Sequence, residues 1–169
     1  LKKTKATSLA GVPYIYEILN KLKLYEMNLP HLKYFTQAGG KLSDNLILKF
    51  ADYCLKNNKK FFVMYGQAEA TARMTFLPFK YIFKKIGSIG KPLKNCRIQI
   101  YDESGKSIRT NDKSGELVFY GKNVSLGYAE KYSDLSKGDE NNGILKTGDI
   151  AIKDKDGFYY IIGRNNRYA

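Results

Sequence analysis

Four consecutive apolar residues, Phe61-Phe62-Val63-Met64, run directly into Tyr65-Gly66-Gln67-Ala68-Glu69-Ala70-Thr71. A run this short and this apolar suits a strand buried on both faces of a parallel sheet, and such a sheet needs helices to cover it. The preceding sequence supplies them. Thr7 to Val12 reads as a strand, and Pro13 opens a helix at a position where its missing N–H costs nothing. Ile15, Ile18, Leu19 and Leu22 give that helix one apolar stripe. Lys33 to Thr36 reads as a second strand, ending at Gly39-Gly40. Ser43 is placed to N-cap a second helix, whose buried face would carry Ile47, Phe50, Ala51, Cys54 and Leu55. The order β-α-β-α-β argues for an α/β layer with right-handed crossovers.

The pattern changes near Lys84. Cys96, Ile98 and Ile100 alternate with Arg97, Gln99 and Tyr101, and Asp102-Glu103-Ser104-Gly105 reads as a turn. Leu117 to Tyr120, Leu145 to Ile152 and Phe158 to Ile162 look like further strands, with Asp154-Lys155-Asp156-Gly157 as a hairpin turn. The fold class expected is therefore α/β. A truncated parallel-type sheet over residues 1–83 would be followed by a small antiparallel distorted β-barrel over residues 84–169.

Within 169 residues there are one histidine and two distant cysteines. A zinc site or a histidine-dependent triad is therefore not expected. Free thiols and the lack of a recognisable signal peptide point to the cytoplasm. No stretch approaches the roughly 18 apolar residues of a membrane span. The net charge is +13, but the lysines are spread through every segment. Nucleic-acid binders show a clustered basic stripe instead, so no nucleic-acid partner is expected. Leu1 stands where an initiator methionine would, and the chain ends soon after Gly163-Arg164-Asn165-Asn166. Both ends read as cuts in a larger protein, with the N- and C-terminal parts of the same chain as partners.

Ligands in α/β sheets sit at the carboxyl ends of strands. Gly39-Gly40 and Tyr65-Gly66 should be neighbours there. Glycine lets backbone approach a flat ligand, and Tyr65 can stack on a base. Glu69 is a hard oxygen ligand suited to Mg²⁺ beside a phosphate. Asp149, after Thr147-Gly148, can accept hydrogen bonds from both hydroxyls of a ribose. Arg164, after Ile161-Ile162-Gly163, can reach a ribose or phosphate. Each alone has a plain structural reading: a core aromatic, a glycine turn, a solvated carboxylate, a turn aspartate, a surface arginine. Gly87-Ser88-Ile89-Gly90-Lys91 is too short for a phosphate loop and is followed by Pro92, so no helix N-terminus cradles phosphate there.

Taken in order, these segments resemble the adenylate-forming (AMP-binding) enzyme superfamily, which includes acyl-CoA synthetases, luciferase and peptide-synthetase adenylation domains. Tyr65-Gly66-Gln67-Ala68-Glu69 is similar to its YGxTE motif, and Gly115 to Gly121 with Val124 and Gly127-Tyr128 to its GELxxxG…V…GY motif. Lys146-Thr147-Gly148-Asp149 resembles its TGD, and Gly163-Arg164-Asn165-Asn166 the GRxD before its hinge. Ser8 to Tyr14 and Gln37 to Ser43 resemble earlier segments of the family.

The resemblance implies an enzyme that joins a carboxylic acid to AMP, using ATP and Mg²⁺, before transferring the acyl group to CoA or a carrier protein. It implies a cofactor-binding set of Gly39, Gly40, Lys41, Tyr65, Gly66, Gln67, Ala68, Asp149, Ile161 and Arg164. Glu69 would be both the catalytic and the metal-holding carboxylate, and Asn166 the hinge. Ala68 stands where the motif usually has threonine, and a lost hydrogen bond of that kind costs about 1 kcal/mol. The family's phosphate loop and its catalytic lysine are not in this sequence, so the fragment alone is expected to be inactive. The alternatives are an adenylation domain that loads a carrier protein, and a non-catalytic nucleotide-binding or interaction module.

Overall fold

A computed structural model describes residues 1–165; the expected hinge residue, Asn166, lies outside them. Its first sheet has the order β1-β2-β3-β4-β5, built from Ser8–Gly11, Tyr34–Gln37, Lys60–Gln67, Thr71–Leu77 and Lys91–Pro92. The first three strands are parallel. Helices α1 (Pro13–Lys21) and α2 (Asp44–Lys56) form the two crossovers between them. The expected β-α-β-α-β layer is present, and an antiparallel edge is added to it by β4 and β5.

That edge was not legible as such. Strand β3 does not stop at Met64 but continues through Gln67, and its register against β4 shifts between Tyr65 and Gln67. Gly66 makes this possible. A Cβ there would lie 2.2 Å from the Thr71 carbonyl oxygen, so only glycine admits so close an approach of the two backbones.

The first core lies under this sheet. Tyr16 on α1 is fully buried, packs edge-on against Phe50 of α2 with ring centroids 5.0 Å apart, and leans on Phe61 of β3. Its hydroxyl donates to the Thr36 carbonyl at 2.8 Å, which allows a polar aromatic to occupy a dry position. The aliphatic stripe expected on α1 is only partly inside, since Ile15 and Leu22 are exposed. On α2 the buried face is Ile47, Phe50, Ala51, Tyr53 and Cys54, with Tyr53 in place of the expected Leu55. Burial pushes the Cys54 thiol up to about 12, as suits an inert core cysteine. Ser43 is the N-cap residue by position but makes no side-chain cap bond; Asp44 supplies the acidic group of the first turn.

The second sheet is antiparallel, in the order β10-β9-β8-β6-β7. Its strands are β6 (Arg97–Tyr101), β7 (Ser107–Ile108), β8 (Gly115–Tyr120), β9 (Ile144–Lys153) and β10 (Tyr159–Arg164). The order does not close on itself, so this part is an open sheet, with β10 and β7 at its edges. Asp154 builds the expected hairpin turn by accepting the Asp156 and Phe158 backbone N–H groups, each at 2.9 Å. Leu117, Phe119, Ile98, Ile100 and Ala151 form the second core, with Met74 of β4 among them.

The two sheets are stitched together. Ile89 N–H donates to Tyr159 O at 2.9 Å, and Tyr159 N–H donates to Gly90 O at 3.1 Å. Lys85 bridges to Asp154 at 2.7 Å and Asp156 at 2.5 Å. Among the described residues no helix is long and apolar enough to cross a membrane.

Candidate functional site

Where the end of β3 meets the middle of β9, residues more than 80 positions apart converge on one carboxylate. The Tyr65 hydroxyl donates to Asp149 Oδ2 at 2.5 Å, and Gln67 Nε2 donates to the same oxygen at 2.9 Å. Gln67 also reaches the Thr147 carbonyl at 3.0 Å. The local backbone explains how Asp149 gets there. Glu116 pairs with Ile150 and Val118 with Lys146, so Leu117 alone faces Thr147, Gly148 and Asp149. Gly148 takes φ +72°, and Thr147 Oγ1 donates to Leu117 O at 2.7 Å while accepting from the Asp149 N–H at 3.1 Å. This bulge presents the carboxylate toward β3.

Asp149 is nearly buried, with only 7% of its surface exposed. Its second oxygen, Oδ1, lies 3.7 Å from Arg164 Nε, and Arg164 is Asp149's partner in the β10–β9 ladder. The guanidinium itself is mostly exposed. Burial, then the hydrogen bond to Asp149, raises the Tyr65 pKa well above the ordinary phenol value. Tyr65 therefore remains a protonated donor at any physiological pH.

These groups line a cleft of about 410 Å³. One wall is Gly39, Gly40 and Lys41, held in shape by Gln37, whose Nε2 donates to Gly40 O at 2.7 Å. Gly39 takes φ +79°, a conformation that favours glycine. Met64, Tyr65, Gly66 and Gln67 line it as well, as do Ile161 and Arg164. The chemistry on offer is a flat aromatic wall, backbone carbonyls and amides, an anionic acceptor and a cation at the rim. That set fits a nucleoside carrying vicinal hydroxyls and a phosphate.

Nine of the expected binding residues thus share one cleft: Gly39, Gly40, Lys41, Tyr65, Gly66, Gln67, Asp149, Ile161 and Arg164. Ala68 and Glu69 do not line it; they occupy the turn between β3 and β4. The Glu69 carboxylate accepts a hydrogen bond from the Tyr128 hydroxyl, chiefly for which its pKa is held below the ordinary carboxylate value. Among the described residues no cluster of three or more acidic, histidine or cysteine side chains could cage a metal. A single carboxylate is nonetheless what Mg²⁺ often takes from a protein, the rest of its shell being phosphate oxygens and water.

Several lining residues fall outside the expected set. Gln37, Leu42 and Ile47 face the cleft, as do Gly87, Ser88 and Ile89. The Gly87–Gly90 segment does not satisfy the phosphate-loop pattern, yet its glycines were a usable signal. Gly90 lets the chain pass close to β4, at Phe76 and Leu77.

The family model described as AMP-binding enzyme matches residues 1–129. A 2-succinylbenzoate–CoA ligase from Bacillus cereus is 30% identical over 137 residues, covering 81% of this chain and 27% of that ligase. The corresponding ligase from Bacillus cytotoxicus is 33% identical over 113 residues, covering 67% and 23%. Among solved structures, O-succinylbenzoate Coenzyme A Synthetase (MenE) from Bacillus subtilis with the acyl-adenylate intermediate OSB-AMP superposes with a TM-score of 0.78 at 26% identity. It covers 96% of this chain and 32% of that one. The same enzyme with ATP and magnesium ion gives 0.76 at 28%, with the same coverage. The chain thus spans about a quarter of the length of the curated relatives it matches. On the extent of the family match and these similarities, the chain belongs to the family of AMP-binding enzymes.

Proposed function

We propose that the full-length protein containing this chain is an ATP-dependent carboxylate–AMP ligase of the acyl-CoA synthetase type. A carboxylate oxygen attacks the α-phosphorus of ATP, the bond to the pyrophosphate oxygen breaks, and acyl-AMP forms. The sulfur of CoA then attacks the acyl carbon and AMP leaves. This chain supplies the nucleoside-recognising part. The Tyr65 ring flanks the adenine, and Gly39, Gly40, Lys41, Gly66 and Ile161 close around it. Asp149 accepts from the ribose hydroxyls and Arg164 reaches the same ribose. Glu69 contributes one carboxylate to Mg²⁺, whose charge stabilises the phosphates when bound. The relatives' names support a small carboxylic acid as the substrate class, with 2-succinylbenzoate the first candidate to assay.

The observation that carries this reading is the state of the Asp149 carboxylate. One oxygen is held by Tyr65 and Gln67, at 2.5 and 2.9 Å, and the other stands beside Arg164 at the cleft. Such a group is oriented before any ligand arrives, so little ordering is lost on binding.

Isothermal titration of the full-length protein with AMP, 2′-deoxy-AMP and 3′-deoxy-AMP tests it. Hydrogen bonds to a charged acceptor contribute about 1.5–3 kcal/mol, so Asp149→Asn should weaken AMP binding roughly 10- to 100-fold. The variant should lose most of its preference for AMP over the deoxy forms. Equal affinity of the unmodified protein for all three nucleotides would remove Asp149 from the ribose. Acid-dependent pyrophosphate exchange, followed by acyl transfer to CoA but not to a carrier protein, would establish the reaction type.

A further inference from the structure

The turn that carries Glu69 is fastened to a second element, the connection between β8 and β9. The Ser125 N–H donates to the Glu69 carbonyl at 2.7 Å, and Asn123 Nδ2 lies 3.5 Å from the Ala70 carbonyl. That connection is itself held in shape: Asn141 Nδ2 donates to Ser125 O at 2.8 Å, and the Glu140 N–H donates to Leu126 O at 2.8 Å. Gly127 sits tightly against Glu140, where an added Cβ would meet Oε2 at 2.6 Å. One residue further on, the exposed Tyr128 extends its hydroxyl to Glu69 Oε1. The Glu69 side chain is thus gripped from outside its own turn, although Tyr128 has most of its ring in solvent.

An exposed tyrosine of this kind contributes little to a core. Its hydroxyl holds the carboxylate it touches, on a side chain with three rotatable bonds, in one orientation. A carboxylate offers about four lone-pair positions, so one occupied by a hydroxyl donor leaves room for a cation.

We propose that Tyr128 is a positioning residue for metal binding: by donating to Oε1 it fixes the Glu69 carboxylate as a divalent-cation ligand. The inference rests on the reading of Glu69 as the magnesium carboxylate. It adds to that reading a residue that never touches the nucleotide. The β8–β9 connection becomes a support for the metal rather than a simple link.

The experiment compares the full-length protein with Tyr128→Phe, Glu69→Gln and the double variant. AMP binding without divalent cation is measured by titration calorimetry, and Mn²⁺ binding in the presence of ATP by electron paramagnetic resonance. Tyr128→Phe should leave metal-free AMP affinity unchanged and weaken Mn²⁺ binding about three- to tenfold, the scale of one exposed hydrogen bond to a charged group. Glu69→Gln should weaken Mn²⁺ binding further, and adding Tyr128→Phe to it should change nothing more. Tyr128→Trp, which keeps an aromatic ring but cannot place the hydroxyl, should behave as Tyr128→Phe. Unchanged Mn²⁺ binding in Tyr128→Phe, or full additivity in the double variant, overturns the role of Tyr128. A Glu69→Gln variant that binds Mn²⁺ normally overturns instead the reading of Glu69. A protein that binds AMP in no variant overturns the nucleotide site.

Discussion

At Tyr65 the same side chain serves two purposes, and they can be separated. The residue lines the cleft, while its hydroxyl is one of two donors to Asp149 Oδ2. Tyr65→Phe keeps the ring and removes the donor. It leaves Gln67 as the remaining donor to that oxygen, at a cost of about 1–3 kcal/mol for an under-satisfied buried acceptor. AMP affinity should fall about three- to tenfold by calorimetry, less than in Asp149→Asn, and the melting temperature should fall as well. Gln67→Leu should resemble it, since that amide bonds both Asp149 and the Thr147 carbonyl. Tyr65 and Arg164 were legible as separate signals because each lies where an apolar run should end a strand, and Asp149 because it follows Thr147-Gly148. Their meeting was not legible, because it depends on the Thr147–Asp149 bulge opposite Leu117, and nothing in a single strand's sequence announces its neighbour's register. Tyr128 stood out only as part of a motif, without a partner, because its partner lies 59 residues away.

The elements show where pattern reading goes astray. Aliphatic spacing on α1 predicts Ile15 and Leu22 inside, whereas the fully buried residue is Tyr16. Hydrophobicity alone undervalues a tyrosine whose hydroxyl finds a backbone carbonyl. The β3–β4 hairpin escapes the pattern because Tyr-Gly reads as the end of a strand, although Gly66 is there to let two strands touch. Glycines therefore differ in their cost of replacement. At Gly90, φ is +85° and an added Cβ would stand 1.9 Å from the Phe76 carbonyl oxygen. At Gly105, φ is +78° but nothing lies within 4 Å. Gly105→Ala should cost about 1–2 kcal/mol from its backbone conformation alone. Gly90→Ala must also displace backbone, so it should cost at least a further ~1–3 kcal/mol and lower the melting temperature more. Comparable melting temperatures for the two variants would contradict this account of the seam between the sheets.

Across the whole molecule, the Lys85 contacts with Asp154 and Asp156 tie the segment before β5 to the β9–β10 turn. Burial works to raise the Asp154 pKa, but hydrogen bonds from Lys85 and from the Phe158 and Asp156 backbone amides outweigh it and hold the value low. Hydrogen bonds that Lys85 donates to Asp154 and then to Asp156 raise the Lys85 pKa. A lowered carboxylate contributes stability above its unfolded pKa, near ~3.9, and loses it as pH falls through the folded value. A raised lysine contributes below about 10.4 and loses it as pH rises through its folded value. The bridge should therefore be fully effective between roughly pH 5 and 9, and Asp154→Asn should flatten the acid side of the stability–pH curve. Thermal melts from about pH 3 to 8 would show this; parallel curves for the two proteins would contradict it. The α/β half and the antiparallel half were each legible in the sequence, because periodicity is a local property. Their joint was not, because Lys85, Asp154 and Asp156 carry no sign that they belong together.

The convergence on Asp149 has a consequence for the order in which the chain becomes competent. Tyr65 is synthesised 84 residues before its partner. A growing chain that has completed its parallel layer still lacks the carboxylate that Tyr65 and Gln67 hold. Under the proposed function, nucleotide rewards only molecules whose two sheets have already met, adding RT ln(1 + [L]/Kd) to that state alone. Under the proposed function, bound AMP or ATP would act in the cell as a late proofreader of folding.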